Sequence, residues 1–542
     1  MLGLMQGWPL LVSKLIEHAD NFHGKSEIVT LTVEGGVHRY TWSDCHTRSK
    51  KLAQALTRLG VDDGDIIGTL AWNTYRHVEL WYGISGMGAV AHTINPRLFK
   101  DQLIYIANHA EDKILFLDTS FVPIIEAVAD ELPNIEAYVI MTDEEHMPKT
   151  SLKNVYCYET LLEAEDGDFA WPQLDENQAS GLCYTSGTTG NPKGVLYSHR
   201  SNFLHTLVSL AADALGSTAK DVFFPVVPMF HANAWGVPYC AAAVGCKLAL
   251  AGPHFDGETL QKFIEDEGVT LTAAVPTVWL ALLGYLQSSG KRVDSLNRVV
   301  IGGSAAPRSM IQTFEDDYDV EVCHAWGMTE TSPLGSVGSM TGETQTWPRE
   351  QQLDVKCKQG RPVVGIEMEI LDDDGNPLPH DGKAFGHLVV RGPWVVSEYM
   401  KAEGGNILDE NGWFDTGDVS TLDELGFMQI TDRSKDVIKS GGEWISSIEL
   451  ENAAVGHPDV AEAGVIGIFH PKWNERPLLI LVLNEGATLD KESMISWLEK
   501  SVAKWWLPDD IITVDELPHT ATGKILKMEL REMYKDYKLP TA

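Results

Sequence analysis

One eleven-residue segment, residues 184–194 (YTSGTTGNPKG), carries the clearest chemical signal in the sequence. It combines glycines, four Ser or Thr hydroxyls and a single cation, Lys193. Glycines let a backbone curve around a ligand, and hydroxyls together with backbone N–H groups form a donor array that suits phosphates. The segment is not a Walker A motif, because Lys193 is followed by Gly194 and not by Ser or Thr. It therefore predicts a polyphosphate-binding loop of another kind, with a flexible polar loop as the alternative.

Six further short strings follow this loop in chain order: residues 302–307 (GGSAAP), 326–330 (WGMTE), 413–418 (WFDTGD), 432–436 (DRSKD), 440–443 (SGGE) and 518–524 (PHTATGK). With the loop, they resemble the signatures of the adenylate-forming (acyl-CoA synthetase) superfamily over almost the whole chain. The resemblance implies a two-step reaction. A carboxylate attacks the α-phosphate of Mg·ATP to give acyl-AMP and pyrophosphate, and the thiol of CoA then takes the acyl group and releases AMP.

The resemblance also implies a nucleotide site. Trp326 would offer an aromatic face to the adenine, where the family usually has Tyr or Phe, and Asp418 would accept hydrogen bonds from the ribose hydroxyls. Thr329 would contact the α-phosphate, and Glu330 would hold Mg²⁺, which prefers one or two carboxylates with phosphate oxygens. The full implied set for ATP and AMP is Thr185, Ser186, Gly187, Thr188, Thr189, Lys193, Ser304, Ala305, Ala306, Ala325, Trp326, Thr329, Asp418, Ile430, Arg433 and Lys435.

Near the C-terminus, Lys524 matches the family's catalytic lysine. A cation there would bridge the attacking carboxylate and the leaving pyrophosphate and stabilise the charge that gathers at phosphorus. Lys435 matches the hinge about which the C-terminal domain turns between the two steps. The CoA channel would be lined by Ser440, Gly441, Gly442, Glu443 and Trp444, although Trp444 stands where the family often has a smaller polar residue.

The string at residues 228–236 (PMFHANAWG) bears on the acid. His231 matches the gate histidine at the mouth of the acyl pocket, and it is counted with Thr329, Glu330 and Lys524 among the catalytic residues. Trp235 is four residues further on, so on a helix it would share a face with His231 and cap the pocket. The implied acyl contacts are His231, Trp235, Gly302, Gly303 and Pro333; an ordinary core histidine and tryptophan are the alternative.

Together with residues 94–98 (INPRL), this string resembles the medium-chain acyl-CoA ligase branch of the family. The resemblance within this branch favours a thioether acid, 3-methylmercaptopropionate, and such an acid is physically plausible because sulfur packs well against aromatic rings. Butyrate and hexanoate remain alternative substrates, because their methylene groups would be buried equally well. The alternative is that the acyl group is transferred to a separate carrier protein and not to CoA. A third hypothesis is a pseudoenzyme that binds nucleotide and acts as a scaffold.

The elements that must position these residues alternate between strand and helix. Buried-strand patterns occur at residues 113–118, 137–141, 179–185, 271–275 and 298–301, and helical patterns occur at 51–59, closed by Gly60, and after Pro276. Such alternation predicts parallel sheets with functional loops at the carboxyl ends of the strands.

Beyond Gly360 the pattern changes. Residues 365–371 and 387–391 predict a hairpin with a turn at 373–377. The last part of the chain predicts a helix at 447–455, strands at 463–469 and 478–483, and a helix at 491–504. We therefore expect an α/β fold with a large N-terminal adenylation domain, residues 1–434, made of βαβ-type subdomains and a β-rich subdomain. A small mobile α+β domain, residues 435–542, would follow it.

Composition limits the partners. The 42 Lys and Arg against 77 Asp and Glu give a net charge of −35, which disfavours nucleic acid and anionic membranes. ATP and CoA would therefore depend on Mg²⁺, backbone N–H groups and a few cations, namely Lys193, Arg433 and Lys524. No apolar run is long enough to span a membrane, no basic leader precedes the first apolar residues, and seven cysteines form no Cys-x-x-Cys pair. These features predict a cytoplasmic enzyme, and the resemblance adds a homodimer.

Overall fold

The computed structural model describes residues 1, 3–185, 191–440, 443–519 and 525–542, and the backbone alone at residues 443 and 444. Within these ranges the strands form four sheets, of nine, seven, four and five strands. The predicted mixed α/β class, with a large N-terminal part and a smaller C-terminal part, is confirmed.

The nine-stranded sheet carries the residues on which the acyl contacts were predicted. Its spatial order is Arg361–Pro362, Leu334–Val337, Glu321–Gly327, Arg298–Ile301, Leu271–Ala274, Val222–Pro225, Lys247–Leu250, Glu27–Leu31 and Val37–Thr41. The six central strands are parallel, and the pairs at both edges are antiparallel. Their carboxyl ends therefore open on one side, where ligands bind in such sheets.

The seven-stranded sheet carries the predicted phosphate loop. Its order is Val155–Cys157, Ala137–Ile140, Ile114–Leu117, Ile66–Leu70, Val90–Thr93, Ala179–Tyr184 and Gly194–Ser198, parallel except for the last pair. Strands Ala179–Tyr184 and Gly194–Ser198 flank residues 185–193, so the predicted loop joins two antiparallel neighbours at the sheet's edge.

Two smaller sheets complete the fold. The antiparallel four-stranded sheet contains Glu367–Leu371, Phe385–Arg391, Phe414–Leu422 and Met428–Arg433, which confirms the predicted hairpin. The C-terminal sheet contains Glu443–Ile445, Ile438–Ser440, Asn474–Leu483, Val460–His470 and Asp510–Thr513. Every residue of the two apolar clusters around this last sheet is numbered 438 or higher.

The α-helices cover the sheets. They are Ser13–His23, Trp42–Arg58, Tyr75–Met87, Lys100–Ala110, Val122–Glu126, Tyr158–Glu163, His199–Ser209, Val237–Val244, Gly257–Glu267, Pro276–Ser289, Arg308–Gln312, Arg349–Lys356, Ser447–Val455, Lys491–Leu498 and Lys527–Met533. Helix Ser447–Val455 matches its prediction, whereas the helix predicted over 491–504 ends at Leu498. The helix predicted over 51–59 begins at Trp42, because Thr41 and Asp44 form a capping box there.

A buried amide ties the two large sheets together near their carboxyl edges. The Nδ2 of Asn73, which follows strand Ile66–Leu70, donates to the carbonyl oxygens of Pro225 and Val227 at 3.0 and 2.9 Å. Its Oδ1 accepts from the N–H of Met229 at 2.7 Å. Asn73 thus holds the start of the 228–236 segment against the sheet that carries the phosphate loop.

Candidate active site

A cavity of about 780 Å³ lies where the carboxyl ends of the two large sheets meet the small sheets. Thirteen of the residues predicted from sequence line it: Thr185, Lys193, His231, Trp235, Gly302, Gly303, Ala325, Trp326, Thr329, Glu330, Pro333, Arg433 and Lys435. They come from distant parts of the chain, so the fold assembles one site from separate strings.

The base of the phosphate loop is closed by two hydrogen bonds. The N–H of Thr185 donates to the carbonyl of Lys193 at 2.9 Å, and the N–H of Lys193 donates to Thr185 Oγ1 at 3.1 Å. The ammonium of Lys193 lies 4.7 Å from the ring centroid of Tyr399. The cation is therefore held at the cavity wall by an aromatic face, an arrangement that leaves its charge available to a phosphate.

Trp326 and Asp418, both predicted nucleotide contacts, bind each other directly. The indole Nε1 donates to Asp418 Oδ2 at 2.9 Å, and Arg433 Nε lies 2.7 Å from Asp418 Oδ1. Gly335 on the neighbouring strand makes room for the indole, since a Cβ there would lie 2.2 Å from it. Asp418 itself does not line the cavity, but both of its partners do.

Glu330 is one of three described carboxylates that line the cavity. It is buried, and its Oε1 accepts a hydrogen bond from the Tyr399 hydroxyl at 2.7 Å. Burial raises the pKa of Glu330, and the hydrogen bond from Tyr399 partly opposes that rise. The Tyr197 hydroxyl donates to the carbonyl of the adjacent Thr329 at 2.8 Å, which fixes this turn. A buried carboxylate on the wall of a cavity that Thr185 and Thr329 also line fits Mg²⁺ bound together with phosphate oxygens.

The acyl end corrects one sequence expectation. His231 and Trp235 both line the cavity, but they do not share a helix face. Residues 232–236 have positive φ values between 42° and 74°, a left-handed turn, and helix Val237–Val244 begins only after it. The indole of Trp235 packs against Gly302, where a Cβ would lie 3.0 Å from a ring carbon. Two of the predicted acyl contacts, Trp235 and Gly302, are thus brought together by a left-handed turn and not by a helix.

Other predicted residues do not line the cavity. Ser304 is exposed, Ala305 is half-buried, and the N–H of buried Ala306 donates to His324 Nε2 at 3.3 Å. The N–H of Ile430 donates to Gln359 Oε1 at 2.6 Å, and Ser440 Oγ accepts from Arg476 at 3.2 Å. Ser186, Gly187, Thr188, Thr189, Gly441, Gly442, Lys524 and the side chains of Glu443 and Trp444 lie outside the described residues.

Sequence reasoning missed several cavity residues, among them Arg97, Phe255, Tyr399, Lys527 and Arg531. Tyr399 and Phe255 lie in loops outside every recognised string, so nothing in their local pattern marked them. Arg97 belongs to the 94–98 string but was used only for the branch resemblance.

The charge of the cavity is opposite to that of the chain. Among the described lining residues, Arg97, Lys193, Arg433, Lys435, Lys527 and Arg531 face three carboxylates, Glu330, Asp415 and Asp436. The described lining thus carries more cations than the sequence indicated, although Arg433, Lys527 and Arg531 are already paired with carboxylates.

The last helix, Lys527–Met533, begins at the cavity, and its first residue forms a buried ion pair. Lys527 Nζ lies 2.9 Å from Glu451 Oε1 and donates to Ser447 Oγ at 2.5 Å. The N–H of Ser447 in turn donates to Asp432 Oδ2 at 2.6 Å. Asp432, at the end of the four-stranded sheet, thus contacts the helix that begins at Ser447 in the C-terminal part.

Comparison with solved structures identifies the fold. A solved anthranilate CoA ligase, AuaEII, in complex with anthranoyl-AMP, superposes with a TM-score of 0.87 at 24% identity, covering 98% of this chain and 99% of that one. The fold is that of the adenylate-forming enzymes.

Sequence comparison then gives the family. Residues 15–400 match the AMP-binding enzyme family, and residues 449–524 match the C-terminal domain of AMP-binding enzymes. The chain is 50% identical over 536 residues to a 3-methylmercaptopropionyl-CoA ligase of Ruegeria lacuscaerulensis, covering 99% of both. It is 48% identical over 536 residues to a medium-chain-fatty-acid–CoA ligase of Ectopseudomonas oleovorans, covering 99% of this chain and 98% of that one.

The chain belongs to the AMP-binding enzyme family, and it is an AMP-forming acid–thiol ligase. This confirms the resemblance found in the seven strings. The pseudoenzyme hypothesis is set aside, and the carrier-loading alternative is not favoured, because these relatives are named CoA ligases. Within the described ranges, no helix is both long and apolar enough to cross a membrane.

Proposed function

We propose that this enzyme joins 3-methylmercaptopropionate to CoA, with short and medium-chain fatty acids as further substrates. The observation that carries the proposal is the contact between the Trp235 indole and Gly302, which closes the acyl end of the cavity with an aromatic wall. A thioether sulfur gains about 0.3–1.5 kcal/mol from such a contact. Two relatives at 50% and 49% identity are named for this acid, and a relative at 48% identity, named for medium-chain fatty acids, supports the further substrates.

In the first step, ATP places its adenine near Trp326 and its phosphates at Thr185 and Lys193. The acid enters past His231, and one carboxylate oxygen forms a bond to the α-phosphorus while the bond to pyrophosphate breaks. Thr329 donates to the α-phosphate. In the second step the sulfur of CoA, having lost its proton, bonds to the acyl carbon and AMP leaves with the electron pair. The main catalytic contribution is alignment, because both reacting groups are held in one cavity.

Glu330 is the proposed Mg²⁺ ligand, with the remaining positions taken by phosphate oxygens and water. When bound, the ion neutralises charge on the phosphates. The boundary at residues 434 and 435 is proposed as the hinge, since both apolar clusters of the C-terminal sheet begin beyond it. A cytoplasmic homodimer completes the proposal; exposed Leu4, Met5 and Trp8 offer apolar surface for a dimer contact.

A panel of acids tests the substrate. Pyrophosphate release with ATP and Mg²⁺ is measured for 3-methylmercaptopropionate, butyrate, hexanoate, octanoate and decanoate, followed by AMP release when CoA is added. We expect the highest kcat/KM for 3-methylmercaptopropionate, comparable rates for butyrate and hexanoate, and a steep fall beyond octanoate. A maximum at decanoate would contradict the proposed acid. Pyrophosphate without CoA-dependent product would contradict the proposed acceptor.

Lys524→Ala separates the two steps. We expect acyl-adenylate formation to fall by roughly 10²–10³, because one preorganised cation is lost. Thioester formation from supplied acyl-adenylate and CoA should stay within about twofold of wild type. Equal losses in both half-reactions would contradict the assigned role. Lys538→Ala, a second lysine of the C-terminal segment that does not line the cavity, is the matched control.

A further inference from the structure

The segment formed by residues 399–405, called the 399–405 loop below, lies on two sides of the Lys193 ammonium group. The ring centroid of Tyr399 is 4.7 Å from Lys193 Nζ. Near the other end of the loop, a Cβ on Gly404 would lie only 3.1 Å from the same nitrogen, so glycine leaves the room that the ammonium occupies. The direction in which this cation points therefore depends on the conformation of the loop.

The backbone of the 399–405 loop has a conformation that its own residues do not favour. Lys401 and Ala402 have φ values of 59° and 56°, in the left-handed region, and Gly404 and Gly405 follow at 82° and 69°. Residues other than glycine keep such values only where the surrounding structure imposes them. Contacts with other parts of the fold therefore hold the loop in place.

Glu403, in the middle of this turn, anchors the loop to helix Lys100–Ala110. Its Oε1 accepts a hydrogen bond from the Tyr105 hydroxyl at 2.7 Å, and its Oε2 is buried without a hydrogen-bond partner among the described residues. A second anchor, the ion pair of Lys401 with Glu111, joins two exposed side chains and contributes little on that account. The bond between Tyr105 and Glu403 is thus the stronger of the two anchors.

The same helix also contacts the strand that leads into the predicted phosphate loop. His109 Nδ1 lies 2.6 Å from the hydroxyl oxygen of Tyr184, the last residue of that strand, and His109 Nε2 lies 3.5 Å from Glu403 Oε1. The rings of Tyr105 and His109 stack with centroids 5.3 Å apart. These four side chains form one cluster that joins the 399–405 loop to the beginning of the phosphate loop.

We propose that Glu403 is a positioning residue for ATP: it holds the 399–405 loop so that Tyr399 and Gly404 direct the Lys193 ammonium at the phosphates beyond the α-phosphate. The inference rests on the proposed function, in which Lys193 contacts the phosphates of ATP. Lys193 and Tyr399 line the cavity, whereas Glu403 does not. The effect of Glu403 on the nucleotide is therefore indirect and depends on the presence of Lys193.

The test compares ATP with AMP, which lacks the two phosphates that Lys193 would contact. Binding of each nucleotide is measured by calorimetry without acid or CoA, so that no reaction occurs. In Glu403→Ala we expect Kd for ATP to rise about tenfold, because the loop loses a hydrogen bond to a charged group, while Kd for AMP stays within about twofold. A general disturbance of the site would weaken both nucleotides alike.

Two milder variants test the same anchor. Glu403→Gln can still accept the hydrogen bond from Tyr105, so its Kd for ATP should stay within about threefold of wild type. Tyr105→Phe removes the donor alone and should raise Kd for ATP by about fivefold, again without an effect on AMP. Tyr105→Phe decides the question if Glu403→Ala does not fold.

A double variant tests whether Glu403 acts through Lys193. In a Lys193→Ala background, Glu403→Ala should change Kd for ATP by less than about twofold, because the effects of two residues that act through one contact are not additive. A full effect of Glu403→Ala in that background would overturn the proposed positioning role.

Glu126→Ala is the matched control. Its carboxylate accepts hydrogen bonds from Thr150 Oγ1 at 2.8 Å and from the N–H of Ser151 at 2.6 Å, and none of these three residues lines the cavity. It should leave Kd for ATP and AMP unchanged. An unchanged Kd for ATP in Glu403→Ala and Tyr105→Phe, or equal rises for ATP and AMP, would overturn the assignment and leave the proposed function intact. A wild-type enzyme that binds ATP but releases no pyrophosphate with any acid of the panel would overturn the proposed function and leave the assignment of Glu403 in place.

Discussion

The indole N–H of Trp326 donates to the Asp418 carboxylate at 2.9 Å, so the residue proposed to face the adenine also orients the residue proposed to bind the ribose. Trp326→Phe keeps the aromatic face and removes this bond. We expect KM for ATP to rise roughly tenfold, because a hydrogen bond to a charged group contributes about 1.5–3 kcal/mol, with KM for the acid nearly unchanged. The measurement is steady-state pyrophosphate release.

Trp279→Phe controls for the loss of a buried indole. Trp279 is also buried, but its Nε1 has no hydrogen-bond partner among the described residues. It should alter stability without altering KM for ATP. If both variants raised KM for ATP equally, the Trp326–Asp418 bond would have no role in nucleotide binding.

Tyr399→Phe should shift the pH profile. Burial already raises the pKa of Glu330, and the hydrogen bond from Tyr399 holds that pKa down. Without the hydroxyl the pKa rises further, so a larger fraction of Glu330 is protonated at acidic pH and cannot bind Mg²⁺. The acid limb of kcat/KM for ATP should therefore move to higher pH, with a larger loss of activity at pH 6 than at pH 8.5.

Tyr285→Phe, on the exposed face of helix Pro276–Ser289, is the control and should leave the limb in place. Excess Mg²⁺ should partly restore Tyr399→Phe at low pH, because metal and proton compete for the same carboxylate. A loss of activity that is uniform across pH would count against this account.

Trp235→Ala should change acid preference. Removal of the indole that packs on Gly302 opens the acyl end of the cavity, and each further buried methylene contributes about 0.8 kcal/mol. We expect the ratio of kcat/KM for octanoate to that for 3-methylmercaptopropionate to rise at least tenfold. The ratio is read from pyrophosphate release with the same acid panel, and an unchanged ratio would exclude Trp235 from the end of the pocket.

Gly302→Ala tests the same contact from the other side. Its Cβ would lie 3.0 Å from the Trp235 ring, so the indole must shift and kcat/KM should fall for every acid. Gly284→Ala is the control, since no atom lies within 4 Å of a Cβ built there.

Asn73→Ala should destabilise the protein. It leaves the buried carbonyls of Pro225 and Val227 and the N–H of Met229 without the amide, at a cost of about 2–4 kcal/mol. Urea unfolding gives the difference, and Asn108→Ala, which loses a single exposed hydrogen bond to Glu131, should cost less than about 0.5 kcal/mol. A similar cost for both variants would show that the Asn73 bonds contribute little to stability.

The sequence predicts strands well where the hydrophobic pattern within the segment is itself sufficient. Strands Arg298–Ile301 and Ala179–Tyr184 are short apolar runs that end in glycine-rich loops, and their periodicity is sufficient. The left-handed turn before Val237 has no such signal, because Ala232, Asn233 and Ala234 have no local requirement for positive φ; the surrounding packing imposes it.

Contacts between distant strings are the part that sequence alone does not provide. Tyr399 binds Glu330 across 69 positions, and Asn73 binds Val227 across 154. Neither Tyr399 nor Asn73 belongs to a recognised string, so each is identified only once the sheets are placed. The same holds for Glu403, whose partner Tyr105 is 298 positions away.

The Asn73 amide has a consequence for the order of events in catalysis. Because it spans the two large sheets, any slippage between them would move the phosphate loop and the acyl wall relative to each other. In the proposed mechanism, the separation between the acid's carboxylate and the α-phosphorus would therefore be set within the N-terminal part, independently of the proposed lysine of the C-terminal domain. On this proposal the Asn73 contacts would fix the alignment of the attacking oxygen, and the proposed domain rotation would only have to add the cation and then admit the second substrate.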